Sequence, residues 1–509
     1  MFRQRVGSVL AVMAGVALMV AVGSSGYTGA GGYSGADGYA GADGYSGADG
    51  HAGADGYGGA DGHTEADGYN KSDAYDRSGP YSETMYKIPY QDQDSSEAGA
   101  AGSNVDGERA GKQKIVLGAP WRISQFQWEA ACFNAQSEDY YVELLQFSEL
   151  GDEKTYPDEI TADLIDVRYM HLGRAAAEGR LEPLDDWLAH SDVLDREDFL
   201  GNVLASATYN GRLYAIPREF TVKTVVCKDS LWDWPEQFGQ KELIDFYEGF
   251  SERHPGAKLF DGMFKNELIY YCVGHDASIW PDYGMGSCNF ESEEFKEVLR
   301  FIKRSSKTRN RSIEDHLPEA LSSEKVLFDS VYLNNFRDVQ FAPAMFGEPV
   351  AYVGYPGKDG GRACVLEPSD ILAVNASSEH KEGAWAFLEF YLSHWGGAWQ
   401  TTGFPSNAEA LQAKCREELL SYEDAKAKPF TEEIGEWEYT YHKCTQKEIA
   451  QMYGLIARAD VQNMENLRED QAVLEIILEE SSLYFSNQKS VDHVASVIQV
   501  RVQRYMQAH

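Results

Sequence analysis

The stretch ILAVNASSEHKEGAWAFLEFYLS, Ile371 to Ser393, decides how the chain is expected to fold. Ile371 to Val374 is an unbroken apolar run, which suits a strand buried on both faces. After the polar lead-in Glu379-His380-Lys381-Glu382-Gly383, apolar residues return at Ala384, Phe387, Leu388, Tyr391 and Leu392. Those positions fall on one face of a helix. A buried strand followed at once by an amphipathic helix is the unit of an α/β fold.

The same alternation extends in both directions. Ile115-Val116-Leu117 closed by Gly118, Leu164 to Val167, Leu213 to Ile216, Val222 to Cys227 and Val350 to Val353 read as short buried strands. Between Ser292 and Arg304 the apolar positions Phe295, Val298, Leu299 and Ile302 form a helical face, and Val494, Val497, Ile498, Val502 and Tyr505 form another near the C-terminus. The expectation is an α/β architecture with largely parallel sheets. About 395 residues from Lys114 onward exceed the core of one sheet, so two lobes are expected.

Composition narrows the partners. A formal net charge of -36 disfavours nucleic acid, whose phosphates must be met by Lys and Arg, and disfavours an anionic lipid surface for the same reason. The seven cysteines, Cys132, Cys227, Cys272, Cys288, Cys364, Cys415 and Cys444, are odd in number, widely spaced and without a C-x-x-C pair. Buried free thiols are expected rather than a disulfide framework.

The N-terminus has the form of an export signal. Basic Phe2-Arg3-Gln4-Arg5 precedes the uncharged run Val6 to Gly23, which ends in the small residues Ala21-Val22-Gly23. Its length also allows an uncleaved anchor. From Tyr27 a six-residue Gly-Ala-Asp-Gly-Tyr-x repeat places Tyr or His at 27, 33, 39, 45, 51, 57, 63, 69, 75 and 81. Dense glycine and acid with no aliphatic residue to bury point to a disordered tether over 24–112. A calcium-binding solenoid is the alternative, but its repeat has another period and a buried aliphatic position.

Further phrases, in order, are LIDVRYM (Leu164 to Met170), GRLEPLDDWL (Gly179 to Leu188), DREDFLGNVL (Asp195 to Leu204), NGRLYAIPREF (Asn210 to Phe220), CNFESEEFKEVLRFIK (Cys288 to Lys303), VGYPGKDGG (Val353 to Gly361), GFPSNAEAL (Gly403 to Leu411) and the closing segment Ile477 to Tyr505. With Ile371 to Ser393, this ordered set resembles the family 1 extracellular solute-binding proteins of ABC importers, especially those of anaerobic Gram-positive gut bacteria. The resemblance runs from about Lys112 to His509. It implies an α/β, two-lobe clamshell of the periplasmic-binding-protein type (type II) with hinge crossovers, preceded by the disordered repeat. Residues 1–23 would be signal peptide or anchor, 113–220 with 365–400 the first lobe, and 221–364 with 401–509 the second. Tyr214-Ala215-Ile216-Pro217 would make the first crossover. Family members usually carry a lipid-modified cysteine after the apolar run; Ser24 and Ser25 stand there instead, so release or an uncleaved helix would replace lipid anchoring.

The implied function is capture of a sugar, by a monomer at the cell surface, for delivery to a membrane permease, with no cofactor, no metal and no covalent chemistry. A peptide, a polyamine, a metal chelate, a sensing role and surface adhesion are the alternatives. Sugars offer flat apolar faces rimmed by hydroxyls, so aromatic and polar side chains at strand ends are the candidates for contact. They are Trp121 and Arg122 after the first strand, Tyr169 and His171 after the strand ending at Val167, and Arg218 and Phe220 at the crossover. In the second lobe they are Tyr271, Trp280 and Tyr283, then Tyr332, Asn334 and Asn335 after an expected strand Lys325-Val326-Leu327. No H-E-x-x-H, G-x-S-x-G or phosphate-binding glycine loop occurs, and the histidines lack metal-ligand spacing. Acidic pairs such as Asp185-Asp186 and Glu479-Glu480 read as solvated helix faces rather than a glycosidase dyad.

Overall fold

The computed structural model describes residues 111–508 apart from 121, 148–155, 157–159, 169, 171, 234–237, 275–278, 283–284, 306–316, 358–360, 362–363, 395–401, 422–423, 427, 435–436 and 462–463. The expected export signal, the whole hexapeptide repeat and all of the expected tether but residues 111 and 112 lie outside the described residues, as do Trp121, Tyr169, His171 and Tyr283. No described helix is long and apolar enough to cross a membrane. All seven cysteines are free thiols.

The elements that frame the site follow in chain order. Strand β1 (Gln113–Ala119) leads to helix α1 (Gln127–Gln136), β2 (Tyr140–Gln146) and β3 (Leu164–Asp166). The long strand β4 (Ile216–Lys228) comes next, then α2 (Glu293–Ser305), β5 (Asp329–Leu333), β6 (Val350–Tyr352) and β7 (Val365–Val374). Helix α3 (Lys381–Ser393), β8 (Phe404–Pro405), α4 (Ala408–Glu418), the hairpin β9 (Phe430–Ile434) and β10 (Trp437–Tyr441), β11 (Asp460–Val461), α5 (Met464–Phe485) and α6 (Val491–Ala508) complete the chain.

Two separate apolar cores define two lobes. The first gathers Ile115, Leu117, Leu164, Ile165, Leu213 and Ile216 with Ile371 to Val374 and the buried face of α3. Phe133 of α1 meets the Phe387 ring of α3 edge-on at 5.3 Å, so the two helices close one side of this core. The second gathers Val225, Cys227, the apolar face of α2, Leu327, Phe328, Ala351, Val353 and Val365 with Val473, Ile477, Val494, Ile498 and Val502. Strand β4 begins in the first core and ends in the second; β7 makes the return journey.

The sheet is mixed rather than largely parallel. Pairs β1·β2, β1·β3 and β7·β11 are parallel, whereas β3·β7, β4·β7, β4·β6, β4·β8 and β4·β5 are antiparallel. The cause is the crossover itself: a strand that leaves one lobe and a strand that returns must run in opposite senses when they are neighbours. Residues 219, 220, 222, 223 and 226 each have ladder partners on both sides, so β4 is interior, with β7 and β6 along one edge and β8 and β5 along the other. The expected strand at Lys325 to Leu327 reduces to one bridge between Val326 and Lys258, and the strand proper starts at Asp329.

Candidate functional site

Where β4 and β7 pass between the cores, their chemistry changes. Strand β7 is buried at Val365 and Leu366 and again from Ile371 to Val374, but Glu367, Pro368, Ser369 and Asp370 between them are half-exposed. Facing them on β4 are Thr221, Phe220 and Glu219, in register with Glu367, Pro368 and Ser369. The ladder lapses at Asp370, which takes a left-handed φ of 51°. An apolar strand interrupted by four polar or kinked positions marks the waist between lobes, and there the exposed chemistry collects.

One face of the waist is open. Lys223 pairs with Glu367 and holds its ammonium 4.7 Å from the centre of the Tyr332 ring. Tyr332, in register with Lys223, is 46% exposed, so much of its ring is free. Beside it the Thr221 hydroxyl donates to Asn334 Oδ1 at 2.6 Å. An exposed aromatic ring flanked by an amine, a carboxylate, a hydroxyl and an amide can stack against an apolar face and hydrogen-bond its rim.

Beneath that face lies a buried ionic layer. Arg218 Nη1 donates to Glu129 Oε1 at 2.8 Å, Nη2 donates to the His394 carbonyl at 3.1 Å, and the guanidinium lies 4.3 Å from the centre of the Tyr391 ring. It thereby ties β4 to the first turn of α1 and the last turn of α3. Arg168, just past β3, grips Asp166 with two nitrogens and reaches Asp370 at 3.4 Å. The Glu219 carboxylate accepts the Gly403 N–H at 2.8 Å and the Thr402 hydroxyl at 3.3 Å. Burial, and secondly the charge of Asp370, push Glu219 up to about 7 against the pull of the Gly403 N–H, Arg218 and Lys414. Burial likewise raises Asp370, opposed chiefly by Arg168. Lys414 Nζ donates to the Gly403 carbonyl at 2.7 Å and the Asn334 carbonyl at 3.3 Å, and burial lowers its pKa.

The candidates from sequence are distributed unevenly. Tyr332 and Asn334 stand on the open face, although Tyr332 lies within β5 rather than after a strand. Arg122 is exposed beyond the end of β1, with a left-handed φ of 50°. Arg218 is at the waist but buried in its ion pair. Phe220 is wholly buried, 5.6 Å from the Phe404 ring, which Phe336 also meets; the hydrophobic effect claims it for packing. Asn335 is buried, with its backbone N–H held by Asp338 and its amide donating to Glu418. Tyr271 and Trp280 belong to the second core: Tyr271 packs on Phe260 and Trp280 on Phe290 and Phe295, each with under a tenth of its surface exposed. Neither has a ring face to offer a ligand. Sequence reasoning passed over Lys223, Glu367, Glu219, Asp370, Arg168, Glu129 and Lys414. The signal for several was present, as charges within strands whose other residues are apolar (Arg218-Glu219 in β4, Glu367 and Asp370 in β7). Among the described residues no group of three His, Cys, Asp or Glu side chains could hold a metal ion.

No family model matches the sequence, and no curated protein matches it. Solved structures do resemble the fold. The sugar-binding protein MalE of the phytopathogen Xanthomonas citri aligns at 15% identity with a TM-score of 0.50, over 78% of this chain and 98% of its own. The GacH receptor of Streptomyces glaucescens, solved unliganded and with acarbose, aligns at 15% identity and a TM-score of 0.45 over 78% and 99%. An extracellular solute-binding protein of family 1 from Alicyclobacillus acidocaldarius aligns at 10% and 0.47 over 78% and 99%. The MalE superposition, together with the two cores and their crossing strands, gives the fold: an α/β, two-lobe binding-protein architecture of the periplasmic type.

Proposed function

We propose that this chain is the extracellular solute-binding subunit of an ABC importer, and that it captures a carbohydrate between its lobes and hands it to a permease. The observation that carries the reading is the open face of the waist, where the Tyr332 ring lies exposed beside Lys223, Glu367, Thr221 and Asn334. The crossing strands permit hinge closure over that face, and contacts from both lobes would favour the closed state. The fold is that of a protein which binds sugar in Xanthomonas citri, and the ordered phrases of the sequence suit the same family, in the style of Gram-positive gut anaerobes. Export by the N-terminal signal, a tether made of the hexapeptide repeat, a monomeric state and the absence of bond-making chemistry complete the proposal.

A thermal-shift screen of the purified protein against oligosaccharides, peptides and polyamines tests it, because a ligand bound only by the native state raises Tm. A sugar at a hundredfold excess over its Kd contributes about 2.7 kcal/mol, well within detection. A shift with polyamines or peptides and none with any sugar would overturn the carbohydrate reading.

A further inference from the structure

Asp370 is a carboxylate of the waist without a cation of its own. Its side chain is 24% exposed, and among the described residues its one ion pair is with Arg168, at 3.4 Å. That guanidinium already holds another acid: Nε and Nη2 donate to Asp166 Oδ2 at 3.1 and 2.6 Å, and Asp166 is wholly buried. The second cation near Asp370 is Arg218, which Glu129 holds at 2.8 Å with both side chains largely buried. Two guanidiniums therefore stand against three carboxylates, and a fourth acid, Glu219, lies close by on β4.

The excess charge lies at one end of the open face. On that face Lys223 and Glu367 neutralise each other, and the Lys223 ammonium rests on the Tyr332 ring. The Thr221 hydroxyl donates to Asn334 Oδ1, which leaves the Nδ2 side of that amide to donate. The face around Tyr332 is thus apolar and hydrogen-bonding with no net charge. Asp370 stands farther along β7, where the ladder to β4 lapses and the backbone takes its left-handed φ of 51°. Tyr332 is in register with Lys223, and Lys223 with Val365, five positions before Asp370. At about 3.3 Å per residue and about 4.8 Å per strand spacing, the backbones at Tyr332 and Asp370 lie roughly 19 Å apart. That span exceeds a single sugar ring.

We propose that the solute is an oligosaccharide bearing a protonated amine, with one ring stacked on Tyr332 and the ammonium seated on the Asp370 carboxylate. The inference rests on the capture reading above and names the solute class for that same site. An ammonium supplies the third cation that Arg168 and Arg218 leave wanting, through a charge-assisted hydrogen bond. A neutral hydroxyl at the same place leaves the carboxylate short of positive charge, and an acidic sugar meets like charge. The net charge of -36 acts in the same direction, because it concentrates cations about the chain and repels anions. Asp370 is thereby the residue that selects the charge of the solute, and Tyr332 the one that selects its apolar face.

Isothermal titration calorimetry of the full chain at pH 6.5 tests this with three probes: a glucosamine trimer, the same trimer fully N-acetylated, and spermidine. The amine trimer is expected to bind at least tenfold more tightly than the acetylated one, with an affinity that falls as NaCl is raised from 50 to 500 mM. Asp370→Asn keeps the side-chain shape, and Asn tolerates the same left-handed backbone; it should bring the two trimers within threefold of each other. Tyr332→Ala should weaken the amine trimer and leave its salt dependence in place, which supplies a second reading if Asp370→Asn folds poorly. Equal or tighter binding of the acetylated trimer, no binding of either trimer, or spermidine bound as tightly as the amine trimer would overturn the inference. A neutral sugar that raises Tm while the amine trimer does not bind overturns the solute class alone, whereas the capture reading fails only when no sugar of any kind binds.

Discussion

Replacing Tyr332 by Ala separates binding from folding more cleanly than any other single change. The side chain is 46% exposed, with the Lys223 ammonium over its ring. An aromatic side chain presents about 150–250 Å², so the open part of this ring amounts to roughly 90 Å² that a stacked sugar can cover. At about 25 cal/mol per Å² that area is worth roughly 2 kcal/mol, or about a 30-fold rise in Kd for whichever sugar gives a thermal shift. The folded protein should lose little, within about 1 kcal/mol, since most of what the mutation removes already faces water. Isothermal titration calorimetry on wild type and Y332A, with urea melts of both, makes the measurement. An unchanged Kd would remove the open face of the waist from the binding site, and a large drop in the urea midpoint would show that the ring is structural after all.

Other expectations follow from the burial pattern and the ionic layer. Trp280→Ala empties the space that its ring fills against Phe290 and Phe295 in the second core, so it should destabilise by about 3–5 kcal/mol while Kd at low temperature stays within twofold; urea denaturation and calorimetry decide. Glu129→Gln leaves the Arg218 guanidinium buried without its carboxylate and should lose roughly 3 kcal/mol, whereas the double change Glu129→Gln with Arg218→Met should recover most of it, because the paired charges have no large net advantage over an apolar filling; denaturation of the double-mutant cycle tests this. Glu219, raised to about 7 in the fold, binds a proton there that the unfolded chain has released above about 4.5. Its contribution is thus fully present below 4.5 and is lost progressively as pH rises to 7, by roughly 3 kcal/mol in all. Urea melts from pH 5 to 8 should show that slope in the wild type and its loss in Glu219→Gln; equal slopes would contradict the assigned burial.

The architecture was legible because burial leaves a periodic trace and crossing does not. Ile371 to Ser393 is a strand and helix where its pattern says, and the α2 and α6 faces are apolar at the expected spacing. Strand direction had no such trace. An apolar run such as Val222 to Cys227 looks the same whether its neighbours run with it or against it, and only the two opposed crossings made the sheet mixed. Strand β2 (Tyr140–Gln146) was passed over although Tyr140-Tyr141-Val142 and Leu144-Leu145 are strand-forming residues; Glu143 breaks the run, and at one end of the strand order only Val142 along it is buried.

The site was legible only in part, for a reason that bears on how such clefts are built. Aromatic identity alone does not separate Tyr332, on an open strand face, from Tyr271 and Trp280, which fill a core; the difference is made by which side of a strand or helix turns inward, and the single π turn Tyr270–Gly274 that carries Tyr271 is too short to show a period from which to read it. The charges are more informative than the rings. Arg218 and Glu219 interrupt a thirteen-residue strand, and Glu367 and Asp370 interrupt a ten-residue one, at positions that the ladder then brings side by side. A charge within a strand that is otherwise buried is unfavourable unless a partner or water meets it, so two such interruptions in two strands imply that the strands are neighbours there and that the cores on either side stop short of that point. On this reasoning the polar waist, its Arg218–Glu129 clamp and the exposure of Tyr332 share one cause: the chain must cross twice between two apolar interiors, and where it crosses water can reach the backbone sheet.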